Sequence, residues 1–256
     1  MIYLTGAGGM VGKRFREVYN KKITSITYRD KVVDSFKSHD KSCLIHLGWS
    51  STTRDTDSEK VKNDIFNSQH LFDYYVKKNP NGRIIFVSSA GDLHQDQGDL
   101  VGSEIPSPRT LYGKSKLHVE QVLDTLKCKT IVLRTSNIWG GEVKDNRVNG
   151  LVDKMLNALN TDKVVEIYAN LDTHVDLIHV DDFINLLIKA IDTDTDYDHE
   201  MFLVGGQSVS IGDIINKISK NGLLNLKINQ KVERSFISVQ PFKAEHVFNW
   251  ERKYFL

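Results

Sequence analysis

Tyr112 and Lys116 stand four positions apart in the run Leu111-Tyr112-Gly113-Lys114-Ser115-Lys116. On a helix that spacing puts both side chains on one face. A phenol with an ordinary pKa of about 10 is a poor base at neutral pH unless a nearby cation stabilises the phenolate. Lys116 is expected to supply that field, so that Tyr112 can take a proton from a substrate hydroxyl or return one in reverse. Upstream, Ile84-Ile85-Phe86-Val87-Ser88-Ser89-Ala90 reads as a strand whose end lies at the edge where open α/β sheets bind ligands. A serine hydroxyl there is placed to hold the same substrate oxygen.

A second constellation lies at the start of the chain. Thr5-Gly6-Ala7-Gly8-Gly9-Met10-Val11-Gly12 follows a short apolar strand and opens a helical segment, Lys13 to Tyr19. Glycines at 6, 9 and 12 allow a tight turn, let backbone approach a pyrophosphate and let the helix pack close to the strand. The free N–H groups and the dipole of the helix start then favour the anion. This is the pattern of a dinucleotide site. The expected cofactor residues are Gly6, Gly9, Met10, Val11 and Gly12, with Leu47 and Gly48 at the end of the third strand, and Tyr112 and Lys116. Arg29 and Asp30 follow the second strand, where the adenosine ribose is read. Asp30 there favours NAD and Arg29 favours NADP, with a slight lean to NADP.

These residues need a scaffold, and the rest of the sequence supplies its pattern. Short apolar runs near 2–5, 23–28, 43–48, 83–88, 130–134 and 201–204 alternate with segments of helical period, notably 60–78 and 113–126. The expected fold is a doubly wound parallel α/β sheet, the NAD(P)-binding Rossmann arrangement, with a small C-terminal substrate-binding lobe. Residues 1–140 and 174–206 are assigned to the core, and 141–173 and 207–256 to the lobe. Lys31 to Lys41 is too short for a full βαβ unit, so one strand or helix beside the adenine site is expected to be missing. With 256 residues and 40% hydrophobic content the chain can bury a full core. Its 34 basic and 33 acidic side chains leave no charge block suited to nucleic acid. Cys43 and Cys128 fit neither a disulfide framework nor a metal-ligand spacing, which points to a reducing, cytoplasmic setting. Neither a signal peptide nor a membrane span is expected from the hydropathy.

Taken together, Thr5 to Gly12, Ser88-Ser89, Tyr112 with Lys116, and Leu133-Arg134-Thr135-Ser136-Asn137-Ile138-Trp139-Gly140 resemble the extended short-chain dehydrogenase/reductases, the NAD-dependent epimerase/dehydratase family. Asp176-Leu177-Ile178-His179-Val180-Asp181-Asp182 and the stretch from Lys243 to Phe248-Asn249-Trp250 resemble later segments of the same family. The resemblance implies Ser89, Tyr112 and Lys116 as the catalytic set, with Ser89 preferred over Ser88 because it directly precedes Ala90. It implies a nucleotide-linked sugar as substrate, acted on at a hydroxyl or keto carbon, with Asn137 on its diphosphate side. It also implies a homodimer built on the helices near 60–78 and 112–126.

The chain departs from that family in three places. Val175 stands where an arginine usually binds the substrate diphosphate, so either Arg234 or Arg147 is expected to replace it or the substrate is not a nucleotide sugar of the usual kind. Ala90-Gly91 lacks the Asp-Glu pair that sugar dehydratases use, which disfavours dehydration. Gly91-Asp92-Leu93-His94 replaces the usual tyrosine-glycine ending, so a reshaped pocket is expected. His94 is expected to be solvated beside Asp92 and Asp96, and His179 to be structural. Epimerase and keto-sugar reductase stand nearly level as the activity, with a non-catalytic dinucleotide sensor as the competing class.

Overall fold

The computed structural model describes residues 1–27, 36–39, 41–141, 150–161, 163–229 and 236–256. Six parallel strands form the central sheet: β1 (Ile2–Thr5), β2 (Ile23–Ile26), β3 (Cys43–His46), β4 (Arg83–Ser89), β6 (Lys129–Thr135) and β10 (His199–Val204), in the order β10-β6-β4-β3-β1-β2. Side chains alternate along each strand, and that period of two feeds two separate cores. Leu4, Ile45, Ile85, Ile131 and Leu133 point to one face. There they meet Phe15 of α1 (Met10–Val18) and Phe183 and Leu187 of α6 (Val180–Asp192). Tyr3, Leu44, Ile84, Phe86 and Val132 point to the other. They meet Leu71, Phe72 and Tyr75 of α2 (Ser58–Lys78) and Val119 and Leu123 of α4 (Leu111–Leu123).

Chain order reverses between β1 and its neighbours, since β2 lies on one side of it and β3 on the other. That switch point is where a doubly wound sheet opens a crevice at its strand ends. Among the described residues no strand lies beyond β2. Residues 28–35 of the link to β3, where a strand or helix is expected to be missing, lie outside the described residues. Phe36, from that link, packs edge-on against Tyr3 at 4.9 Å, and the backbone N–H of Lys37 donates to Tyr3 Oη.

A third cluster forms away from the sheet. Val152 and Met155 of α5 (Leu151–Ala158), Val165 and Ile167 of β8 (Val165–Ile167), and Ile211, Ile214 and Ile218 of α7 (Ile211–Ser219) bury one another. Leu177 of β9 (His174–His179) and Val209 of β11 (Gln207–Ser210) close it. The three-stranded sheet β11-β9-β7, with β7 (Asn137–Trp139) at its edge, joins this cluster to the strand ends. β8 pairs with β12 (Leu226–Ile228), and β5 (Gly98–Leu100) with β13 (Ile237–Val239). The tail does not follow the lobe. Phe248, at the end of α8 (Phe242–Phe248), and Trp250 belong to the same core as Leu4 and Phe183. Trp250 Nε1 donates to the Asp182 carbonyl, and the Asp182 carboxylate accepts from the backbone N–H groups of Lys253 and Tyr254.

Candidate active site

The glycine turn is held against the third strand by one hydroxyl. Thr5 Oγ1 accepts from the backbone N–H groups of Leu47 at 3.1 Å and Gly48 at 2.9 Å. Its own hydrogen is therefore left for His46 Nδ1, 2.8 Å away. His46 then carries its proton on Nε2, which lies 3.0 Å from Ser68 Oγ, and Ser68 donates onward to the Asp64 carbonyl at 2.7 Å. Burial, with Lys116 nearby, pushes His46 down to about 3, so the ring stays neutral and the relay keeps one direction. At Gly6, φ is +69° and a Cβ would lie 2.8 Å from Gly48 N; at Gly12 a Cβ would lie 2.2 Å from the Gly6 carbonyl oxygen. Both positions therefore require glycine. Gly9, the N-cap of α1, offers no capping side chain, so the N–H groups of Met10, Val11 and Gly12 face the turn free of a side-chain cap. A cleft of about 160 Å³ opens beside it, lined by Met10, Arg14, Gly140 and Asp181 among others.

Across the crevice, α4 begins at the N-cap Thr110, whose Oγ1 accepts from Gly113 N at 2.9 Å. Tyr112 and Lys116 rise from its first turns, with the Lys116 ammonium 5.6 Å from the Tyr112 ring centroid. Lys116 is 4% exposed and donates to the Val87 carbonyl at 2.9 Å. Its ammonium lies over the Trp49 ring at 3.9 Å and the Phe86 ring at 4.8 Å. Trp49 is fixed in turn: Nε1 donates to Ser51 Oγ at 2.9 Å, and the Asp64 carboxylate accepts from the N–H and hydroxyl of both Ser50 and Ser51. At the end of β4, Ser88 is buried with no partner for its hydroxyl among the described residues. Ser89 instead caps α3 (Ala90–Leu93), accepting from Asp92 N at 3.2 Å. Asp92 links the pieces, since its carboxylate oxygens lie 3.3 Å from Ser89 Oγ and 3.3 Å from Thr110 Oγ1.

The electrostatic balance at Tyr112 is set by burial as well as by its neighbours. Burial, reinforced by the carboxylates of Asp92 and Asp64, raises the phenol above its ordinary value, and Lys116 does not reverse this. With the protein's own groups alone, Tyr112 is held as an acid. Burial also pushes Lys116 down to about 7, against the pull of Asp64, Glu120 and Asp92. Between about pH 7 and the ordinary lysine value of about 10.4 the unfolded chain keeps a proton that the folded chain has released, so this group adds stability as pH rises. Cys43 and Cys128, both pushed up to about 12, act in the opposite sense once pH passes the ordinary thiol range. The parent is therefore expected to gain stability relative to Lys116→Met between about pH 7 and pH 8.5. Urea unfolding of both at several pH values checks this; a difference that does not change with pH would refute it.

Other residues fall as follows. Asn137 is exposed at the start of β7, and its Nδ2 donates to the Asp176 carbonyl at 3.1 Å. Val175 pairs with Val209 and packs on the third cluster, an apolar wall with no phosphate partner of its own. Arg29, Asp30, Arg147 and Arg234 lie outside the described residues. His179 caps α6, accepting from Asp181 N at 3.2 Å, and stacks on Tyr254 at 4.6 Å, a structural role as expected. His94 corrects the expectation of a solvated loop residue. It is 1% exposed, with Nδ1 2.9 Å from Gln97 Oε1 and Nε2 3.2 Å from Arg134 Nη1. Arg134 in turn donates to Glu120 from Nε at 3.1 Å and Nη2 at 2.6 Å. The sequence assigns no role to His46, Trp49, Asp64 or Thr110, and none to the side chains of Thr5 and Asp92 within the motifs that contain them. Asp64 and Ser68 carry the one readable signal, being four apart on a helix. Among the described residues no group of three or more His, Cys, Asp or Glu is placed to hold a metal, and no helix is long and apolar enough to cross a membrane.

A glycine turn at the switch point of a parallel sheet, facing a tyrosine and lysine on one helix, defines a dinucleotide-binding α/β protein of the short-chain dehydrogenase type. Residues 2–205 match the NAD dependent epimerase/dehydratase family, and the chain belongs to that family. A dTDP-4-dehydro-6-deoxyglucose reductase of Escherichia coli is 25% identical over 207 residues, 77% of this chain. The match spans 63% of that relative's length. Among solved structures, MoeE5 in complex with UDP-glucose and NAD superposes with a TM-score of 0.86 at 18% identity, over 100% of this chain and 94% of the other. UDP-glucuronic acid 4-epimerase from Bacillus cereus, in complex with UDP-glucuronic acid and NAD, gives 0.83 at 17% identity, over 99% and 94%. These likenesses establish the shared fold.

Proposed function

We propose that the chain is an NAD(P)-dependent oxidoreductase working at C4 of a nucleotide-linked sugar, in the direction that reduces a keto carbon. The observation that carries this reading is the placement of Tyr112 and Lys116 on the first turns of one helix, the Lys116 ammonium 5.6 Å from the Tyr112 ring, with Ser89 joined through Asp92 to that helix's N-cap Thr110. A protonated phenol suits the group that gives a proton to a carbonyl oxygen as hydride arrives at its carbon. The nicotinamide cofactor, when bound, supplies that hydride. The N–H groups of Met10 to Gly12 would hold its pyrophosphate, Leu47 and Gly48 would border it, and Lys116 would take the ribose hydroxyls. Ser89 would hold the reacting oxygen. Asn137 would face the substrate diphosphate, with Arg234 in place of the arginine that Val175 replaces. The sugar would lie between sheet and lobe. Arg29 inclines the reading toward NADPH. A cytoplasmic homodimer through α2 and α4 goes with it, and Phe66, 58% exposed on α2, is a side chain that such a seam would cover.

The relative from Escherichia coli favours reduction, and the motif set shared with epimerases keeps epimerisation as the second reading. Cofactor stoichiometry separates them. With NADPH and dTDP-4-dehydro-6-deoxyglucose the expected result is one equivalent of reduced nicotinamide oxidised per keto sugar. Interconversion of two C4 epimers of a UDP-hexose without net change in the nicotinamide absorbance would replace reductase by epimerase. Tight cofactor binding without turnover on any keto or hydroxy nucleotide sugar would leave a sensor.

A further inference from the structure

The hydrogen count around Ser89 assigns a role to Asp92. Ser89 Oγ accepts from Asp92 N at 3.2 Å, and Thr110 Oγ1 accepts from Gly113 N at 2.9 Å, so each hydroxyl keeps one hydrogen to give. Both face the Asp92 carboxylate, at 3.3 Å each. A Ser89 whose hydrogen is committed to a carboxylate can accept from a substrate hydroxyl but has nothing to donate to a keto oxygen. A protonated Asp92 reverses this: the acid donates to Ser89 Oγ, and the serine hydrogen is released toward the substrate.

We propose that Asp92 is a positioning residue that sets, through its own protonation, whether Ser89 offers the reacting oxygen a donor or an acceptor. The acid form suits the keto sugar and the carboxylate form the hydroxy sugar. No net proton passes through the pair during turnover, since the reaction proton comes from Tyr112. Ser89 and Asp92 stand at the spacing of a capping box, but there the acidic side chain reaches the cap's backbone N–H, whereas here it reaches the hydroxyl.

Burial raises Asp92 above the ordinary carboxylate range, partly offset by the two donated hydrogen bonds and by Lys116. Tyr112 and Lys116 of α4 are the titratable groups that face it. On the side of β6, Arg134 is engaged by Glu120 and His94, and on the neighbouring loop Arg109 is paired with Asp96. Asp64 of α2 acts on the same Tyr112 and Lys116.

This inference rests on the proposed function, and two measurements keep the two apart. The first uses the protein alone. Carboxyl ¹³C NMR, with Asp92→Asn to assign the resonance, is expected to show Asp92 titrating above the ordinary value of about 3.9. In Ser89→Ala the carboxylate loses a donor, so the midpoint moves higher still. An Asp92 titration that Ser89→Ala leaves unmoved overturns the proposal. The second measurement follows NADPH oxidation with dTDP-4-dehydro-6-deoxyglucose against pH. The parent's rate is expected to fall roughly tenfold as pH rises through the Asp92 titration, about the worth of one hydrogen bond in the transition state. Asp92→Asn, whose amide always donates to Ser89, is expected to lose that step and to stay near the acid-side rate. A parent-like profile in Asp92→Asn overturns the proposal. A coupled titration in a protein that turns over no nucleotide sugar upholds the Asp92–Ser89 link and removes the proposed function instead.

Discussion

Replacing Tyr112 with phenylalanine is expected to lower turnover by roughly two to four orders of magnitude while leaving cofactor affinity within a factor of a few. The size of the effect follows from what is removed. The ring stays, with its edge-on contact to Trp49 at 6.3 Å, and so does the backbone carbonyl that accepts from Ser115 Oγ at 2.7 Å. Only the proton-bearing oxygen goes. Lys116 keeps its hold on the Val87 carbonyl and its seat on Trp49, so the cofactor side of the site is undisturbed. Steady-state rates with a keto sugar, beside NADPH titration by fluorescence, test both halves. Turnover within a few-fold of the parent would exclude Tyr112 as the proton donor.

The largest loss of stability is expected from Glu120→Ala. Arg134 and Glu120 are 10% and 7% exposed in their side chains, a buried ion pair joining β6 to α4. Removing one partner leaves an uncompensated charge, which costs about 3–5 kcal/mol. His94 cannot take over: burial lowers its pKa, so the ring facing Arg134 is neutral and offers a single acceptor. For a chain of this size the melting temperature is expected to drop by roughly 10 °C. Urea unfolding gives the free energy directly. A loss below about 1 kcal/mol would mean that the guanidinium reaches water when released, as exposed pairs do.

Much of the scaffold is legible in the sequence because it follows from local periodicity. The six strands of the main sheet and the helices α2 and α4 all coincide with runs whose apolar spacing is visible within a window of ten residues or so. The glycine turn is legible for the same reason, since its geometry is set by neighbours in the chain. What lay beyond reach were contacts between distant segments. Nothing in the run from Leu47 to Ser51 signals that Trp49 lies under Lys116, or that Asp64 fixes the intervening turn. His94 was misread because its sequence neighbours Asp92 and Asp96 are polar. Its direction is set instead by α3, which turns it inward against Arg134. The effect of burial on Tyr112 is out of reach for a related reason, since a spacing shows which cation is near but not how much water has been removed.

The placement of Trp250 has a consequence for biosynthesis. Its indole is anchored on the Asp182 carbonyl and shares a core with Phe183 and Phe202, so the sheet face beside α6 and β10 is completed by a residue that follows Asp182 by 68 positions. During translation the earlier segments leave the ribosome with that apolar face uncovered. Domains generally fold as units during synthesis, and exposed intermediates are prone to aggregate. Here the face beside α6 and β10 is not closed until residues 242–250 have emerged. Slow elongation between β10 and α8 would lengthen that exposed interval, whereas the same delay within the first β-strand and helix would not.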